Sequence, residues 1–266
     1  SVLAVSIASM DFDSDGSPDT DGSNIAFARQ SWGAMHGVDL SALEPLVTRS
    51  FLSVPGGGKS RFLEASPSIG PTIRAGLASK GIYPGTAEYE LFFLVYQTLW
   101  DSADPINWAA EAAANTPILL HEVINDQVIP NHVLPASPLA GTEPLIKVMG
   151  LQAYSSTQQS ADGLRSAGRF VPPADHSSWL SPNVGSPPAF FEMQKQAASF
   201  IASFGGAVVV TDESTMVPVM TMGAQQTPNL TEKKSSKSVK GKYKQDRGKI
   251  SRLEQVKGQT QPGRLE

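Results

Sequence analysis

Ile25-Ala-Phe-Ala-Arg-Gln-Ser31-Trp-Gly-Ala-Met-His-Gly37 is the stretch from which the fold is read. A short apolar run, predicted as a strand over Ile25–Ala28, passes through Gln-Ser-Trp-Gly into a segment predicted as a helix over Trp32–Leu43. This is the layout of a nucleophile elbow, G-x-S-x-G, in which a sharp turn lifts a serine hydroxyl above the end of a sheet. Glycines flank such a serine because the turn crowds the positions two residues away. Gly33 meets that demand, whereas Arg29 stands at the other glycine position. On this stretch alone, Ser31 reads equally well as an ordinary helix N-cap.

Outward from the elbow, strands are predicted over Val2–Ser9, Arg49–Val54, Pro117–Val123 and Ala207–Thr211. Several are almost continuously apolar, as strands buried on both faces of a parallel sheet are. Further helices are predicted over Ala87–Leu99 and Ala189–Phe204. In the second, Phe190, Met193, Ala197, Phe200, Ile201 and Phe204 recur at helical spacing before Gly205-Gly206 ends it, a stripe that reads as core. The alternation of apolar runs, helical patterns and Gly/Pro turns predicts an α/β fold with a mostly parallel sheet flanked by helices. No internal repeat is found.

Composition sets the limits. The chain has 266 residues, 40% of them hydrophobic and 17% charged, and no cysteine. That excludes a wholly disordered chain, a disulfide scaffold and a thiolate metal site. The longest apolar run, Leu91–Tyr96, is too short to span a bilayer. Ser1–Ser9 is apolar but has neither a basic n-region nor an initiating methionine, so the chain reads as a mature form or a fragment. The net charge of −4 conceals an asymmetry: residues 231–266 hold 11 of the 21 basic residues and only four of the 25 acids. That segment, rich in Lys, Ser, Gly and Gln, has the composition of a disordered basic tail, and residues 1–230 read as one domain. Basic tails meet nucleic acid or anionic surfaces. A solvated extension is nevertheless the favoured reading, and no nucleic-acid partner is expected.

Two further segments supply partners for Ser31. Pro117-Ile-Leu-Leu-His-Glu-Val-Ile-Asn-Asp126-Gln-Val-Ile-Pro-Asn131 reads as a buried strand that stops at a carboxylate in a turn. Asp126 is either a triad acid or a turn residue bonded to its own backbone. Pro173-Ala-Asp-His176-Ser-Ser-Trp places a histidine in a loop before the last helix. Serine, aspartate and histidine then follow in one order, separated by 95 and 50 residues, which leaves room for intervening strands and a return to the same sheet edge.

Asp11–Gly22, Ser50–Leu63, Ser66–Gly76, Asp104–Trp108, Pro117–Asn131 and the segment around His176 together resemble the bacterial extracellular lipases of the α/β-hydrolase fold, the virulence-factor-lipase type. The resemblance runs from Ser1 to Asp212. It implies an α/β-hydrolase-like sheet that is incomplete at the N-terminal side, as in a truncated or internally deleted relative. It also implies a carboxylester or lipid-ester hydrolase, secreted or at the cell surface, with transient contact to a lipid surface. Ser31 would be nucleophile, Asp126 triad acid and His176 base. The amide of Trp32 would serve the oxyanion hole, beside a second donor that the sequence does not identify. Residues 60–115 read as a lid or acyl-binding region, with helical core as the alternative. No cofactor is implied. A relative with impaired catalysis, or a binding module, is the competing reading.

Two other motifs point elsewhere. Pro55-Gly-Gly-Gly-Lys59-Ser60 resembles the end of a phosphate-binding P-loop, and Val208-Val-Val-Thr-Asp212 resembles a strand ending in a Walker-B acid. Against a nucleotide site, Ser53 takes the place of the first glycine and Pro55 removes an amide. Asp11, Asp13, Asp15 and Asp19 have the spacing of a calcium loop, but the twelfth position is Gly22 and not a bidentate glutamate. A solvated acidic turn is the favoured reading over structural calcium.

Overall fold

The computed structural model describes residues 2–133, 135 and 137–219. In chain order its elements are α1 (Val2–Ile7), β1 (Ile25–Gln30), α2 (Trp32–Leu43), β2 (Val47–Ser53), α3 (Lys59–Ala65), α4 (Gly70–Ala78), α5 (Ala87–Trp100) and α6 (Pro105–Asn115). There follow β3 (Ile118–Val123), α7 (Thr142–Met149), β4 (Gln152–Tyr154), β5 (Gln158–Gln159), β6 (Arg165–Phe170), α8 (Pro187–Ala202) and β7 (Ala207–Val208). Five strands form a parallel sheet in the order β1-β2-β3-β6-β4, so the predicted α/β class is what the chain adopts. Helices carry the chain from β1 to β2, from β2 to β3 and from β3 to β4, whereas β4 reaches its parallel neighbour β6 through a loop that holds β5.

Side chains divide between those faces with the two-residue period of a strand. Leu52, Ile118 and Leu120 meet α2, α6 and α7 on one side. Phe51, Leu119 and Val123 meet Met193, Ala197 and Phe200 of α8 on the other. Every residue of β3 is buried, and each fully buried Leu or Phe is worth about 1.5–3 kcal/mol. The α8 stripe packs as expected at Met193, Ala197 and Phe200, but Phe204 lies beyond the helix end and is exposed.

Three expectations need correction. Val2–Ser9 is not a strand: Val2–Ile7 is helical, Ser6 Oγ donates to the Val2 carbonyl, and Val2, Leu3 and Val5 are exposed. A run with no strand beside it satisfies its backbone locally instead. Ala207–Thr211 does not join the main sheet either. Only Ala207–Val208 pairs, antiparallel to β5, and beyond it Ser199 Oγ and Thr157 Oγ1 accept from the amides of Val209 and Val210. Strand β6 was not anticipated because Arg165, Ser166, Gly168 and Arg169 break its apolar pattern. Among the described residues, no helix is long and apolar enough to cross a membrane. The basic segment 231–266 and the boundary at 230 lie outside the described residues.

Candidate active site

Because the sheet is parallel, the C-terminal ends of its strands share one edge, where ligand crevices of open α/β sheets form. Ser31 follows β1, Asp126 lies in the turn after β3, and His176 lies in the loop after β6. Although they are far apart in sequence, the three side chains meet. His176 Nε2 is 2.8 Å from Ser31 Oγ, and His176 Nδ1 is 2.7 Å from Asp126 Oδ2. The His176 side chain is 12% exposed and that of Asp126 2%, so the carboxylate is dry while the imidazole edge is reachable. A carboxylate at Nδ1 selects the tautomer that leaves Nε2 free to accept the serine proton.

Ser31 adopts φ 56° and ψ −124°, a strained conformation for a residue with a Cβ. The turn is held by the Ser31 amide, which donates to the Ser53 carbonyl at 2.8 Å. Ser31 stands at the N-cap of α2 yet makes no capping hydrogen bond, so the hydroxyl is spent on His176 and the N-cap alternative fails. Trp32 opens α2, and its amide is among those that find no acceptor inside a helix. Arg29 fits the elbow after all. Its side chain is exposed and lies against Gly33, where an added Cβ would stand 3.3 Å from Arg29 Cβ. One glycine is enough because the two positions face each other.

The Asp126 turn is built from buried polar groups. Asp126 Oδ1 accepts from the amides of Val128 and Ile129, so the carboxylate is a turn residue and a histidine partner at once. Asn131 closes the turn: its Oδ1 accepts from Asn125, which sits at φ 63°, and its Nδ2 donates to the Val123 carbonyl and to Glu122 Oε1. Beneath it Arg169 bridges Glu122 at 3.1 Å and Glu143 at 2.6 Å. Burial, reinforced by the neighbouring Glu143, pushes the Glu122 carboxyl up to about 8. Its neighbour on β3, His121, is wholly buried and falls to about 3 by desolvation, so it is neutral. The His176 loop is tied to β1 by Gln30 Nε2, which donates to the His176 carbonyl at 2.6 Å. Gln30, Asn131 and Glu122 escaped sequence reading because amides and acids at strand ends are common, and nothing in their spacing marks them.

The glycine-lysine loop after β2 is not a phosphate cradle. The amides of Gly58 and Lys59 donate to the buried Asp104 carboxylate at 2.9 and 2.7 Å, leaving neither for a phosphate. Lys59 is fully buried, with its ammonium 5.0 Å from the Trp32 ring centre and 4.7 Å from that of Trp100. Asp212 ends no sheet strand; it caps a short turn by accepting from the Ser214 amide. In the acidic loop, carboxylate oxygens of Asp11, Asp13 and Asp15 lie within 4.8 Å of one another. Asp19 accepts from the Phe12 amide, and Asp11 is occupied by the amides of Ser14 and Gly16, the latter the main cause of its lowered pKa.

No protein-family model matches the sequence, and no curated protein matches it. Among solved structures it is similar to a Mycobacterium tuberculosis puromycin-hydrolyzing peptidase, with 13% identity and a TM-score of 0.46. The alignment covers 71% of this chain and 25% of that one.

Proposed function

We propose that this chain is a serine hydrolase of the α/β-hydrolase type that cleaves carboxylic esters, lipid esters among them, through an acyl-enzyme. The observation that carries this reading is the line Ser31 Oγ–His176 Nε2 at 2.8 Å and His176 Nδ1–Asp126 Oδ2 at 2.7 Å, raised on a strained strand-to-helix turn. His176 removes the Ser31 proton as Oγ attacks the ester carbonyl; Asp126 orients the ring and stabilises the imidazolium. The tetrahedral oxyanion turns toward the Trp32 amide at the head of α2, where the helix dipole favours negative charge. His176 then returns the proton to the leaving alcohol, and water repeats the sequence to release the acid.

The helical segment between β2 and β3 is the acyl-binding region in this proposal. Phe92, Tyr96 and Trp100 follow one another along α5 at centroid distances of 5.7 and 6.1 Å, and Trp100 meets Trp32 at 5.3 Å. A hollow of about 380 Å³ lined by Ile82, Leu91, Phe92, Val95 and Leu99 lies along that helix. No cofactor enters these steps, and a calcium ion at Asp11, Asp13 and Asp15 would act on stability alone. Location outside the cell or at its surface is proposed only from the lipase resemblance.

The test is hydrolysis of a chromogenic short-chain ester, with labelling by a fluorophosphonate followed by peptide mapping. The expected result is turnover lost in Ser31→Ala and a label confined to Ser31. Turnover that survives Ser31→Ala overturns the assignment.

A further inference from the structure

The Gly-Lys loop has no phosphate to hold, and a fully buried lysine is costly unless its charge is used. Its surroundings show how the charge is compensated. Gly58 precedes it at φ 66°, and an added Cβ there would stand 2.8 Å from Ala140 Cα, so the backbone turns where only glycine fits. Asp104 fixes that turn through the amides of Gly58 and Lys59 and also accepts from Gln97 Nε2 at 2.8 Å. The Lys59 ammonium donates to the Ala103 carbonyl, and Asp39 and Asp104 offset its burial electrostatically. The rings of Trp32 and Trp100 also face it, both within the range of a cation–π contact. The two indoles meet edge to face at 78°. Trp32 is 38% exposed, so this contact, together with the edge of His36 at 6.2 Å, restrains a ring that open water would leave free.

Trp32 is the residue that follows the nucleophile. A side chain gripped at the head of α2 fixes the rotation of that first turn and hence the direction of its free amides. We propose that Lys59 is a positioning residue for ester cleavage, holding the Trp32 indole against Trp100 so that the Trp32 amide faces the oxyanion; this rests on the hydrolase reading above. Misdirecting an oxyanion donor harms the transition state more than the ground state. The effect therefore belongs in kcat and not in KM.

The experiment compares Lys59→Met, Lys59→Arg and Trp100→Phe with wild type on one soluble short-chain ester. Rates are normalised to fluorophosphonate-titrated Ser31, so that unfolded protein is not counted. Lys59→Met is expected to lower kcat by about 10- to 100-fold, below the full loss of one oxyanion donor, with KM nearly unchanged. Lys59→Arg, which keeps the charge and the stacking, should recover most of the loss. Trp100→Phe keeps one aromatic face and should fall between. Should Lys59→Met yield no titratable protein, the Trp100→Phe kcat decides alone: a wild-type value overturns the inference. An unchanged kcat in Lys59→Met, or a loss confined to KM, also overturns it while leaving the hydrolase reading intact. Wild-type protein without Ser31-dependent turnover overturns both.

Discussion

Strands β1 and β3 lead to Ser31 and Asp126, two of the three side chains that meet at the sheet edge, yet they are built differently. β3 lies between two parallel neighbours and is buried throughout, whereas among the described residues β1 pairs with β2 alone and is only partly buried. The turn after β3 is fixed from below by Asn131, Glu122, Arg169 and Glu143. The turn after β1 is fixed by one backbone bond to Ser53, by close packing of Gly37 on Phe27 and Leu52, and by the ring contacts of Trp32. Asp126 is therefore held by a buried polar network that tolerates few changes. Ser31 is held by packing around a strained backbone, and its placement depends on a few large contacts.

The largest expected effect tests whether the two ends act as one machine. Ser31→Ala and His176→Ala should each lower ester turnover by about 10⁴-fold or more, and the double variant should cost little beyond either. Multiplying losses would mean that the two side chains act separately. Asp126→Asn should fall short of Ser31→Ala, because an oriented base is only partly disabled.

Next comes the network under Asp126. Asn131→Ala frees the turn at Asn125 and removes a partner of Glu122, so kcat should drop by about tenfold to a hundredfold through a displaced carboxylate. A wild-type kcat in that variant would show that Asp126 needs only its own amide bonds to Val128 and Ile129.

A smaller effect appears in stability against pH. Glu122 titrates near 4.5 when exposed and at about 8 when folded, so the native state holds an extra proton between those values. Stability from this group is full below about 4.5 and falls as pH rises toward about 8. Glu122→Gln should flatten the decline of Tm over that window. A slope that persists would place its origin elsewhere; Asp39, raised to about 7 mainly by burial, is the next group to replace.

The smallest effect concerns the elbow. Gly33→Ala should cost about 1 kcal/mol in wild type, from pressure on Arg29, and much less beside Arg29→Gly. Additive costs in thermal melts would show that the two positions do not touch.

The sequence carried the α/β class, and it singled out Ser31, Asp126 and His176, whose side chains meet, because both readings rest on patterns: apolar strands that stop at Ser31 and near Asp126, and helical spacing at Met193, Ala197 and Phe200. What it concealed depends on tertiary context. β6 looks polar because Arg169 buries its charge against two glutamates, and Ser166 and Gly168 find room only inside the sheet. Val2–Ser9 looks like a strand because apolar β-branched residues favour one, but among the described residues no strand pairs with it. The Gly-Gly-Gly-Lys run resembles a phosphate loop in part, and the sequence does not show that Asp104, 45 residues beyond Lys59, takes the amides.

Arg29 has one more consequence. Among the described residues β1 presents a second edge with no ladder, six residues long and next to Ser31. Bare edges recruit foreign strands, and a charge planted on one is a common natural guard against stacking into aggregates. At the position where an elbow asks for glycine, this chain keeps an exposed guanidinium. Crowding beside Gly33 and colloidal protection are therefore two properties of a single side chain. A variant made roomier by Arg29→Gly should precipitate at lower protein concentration.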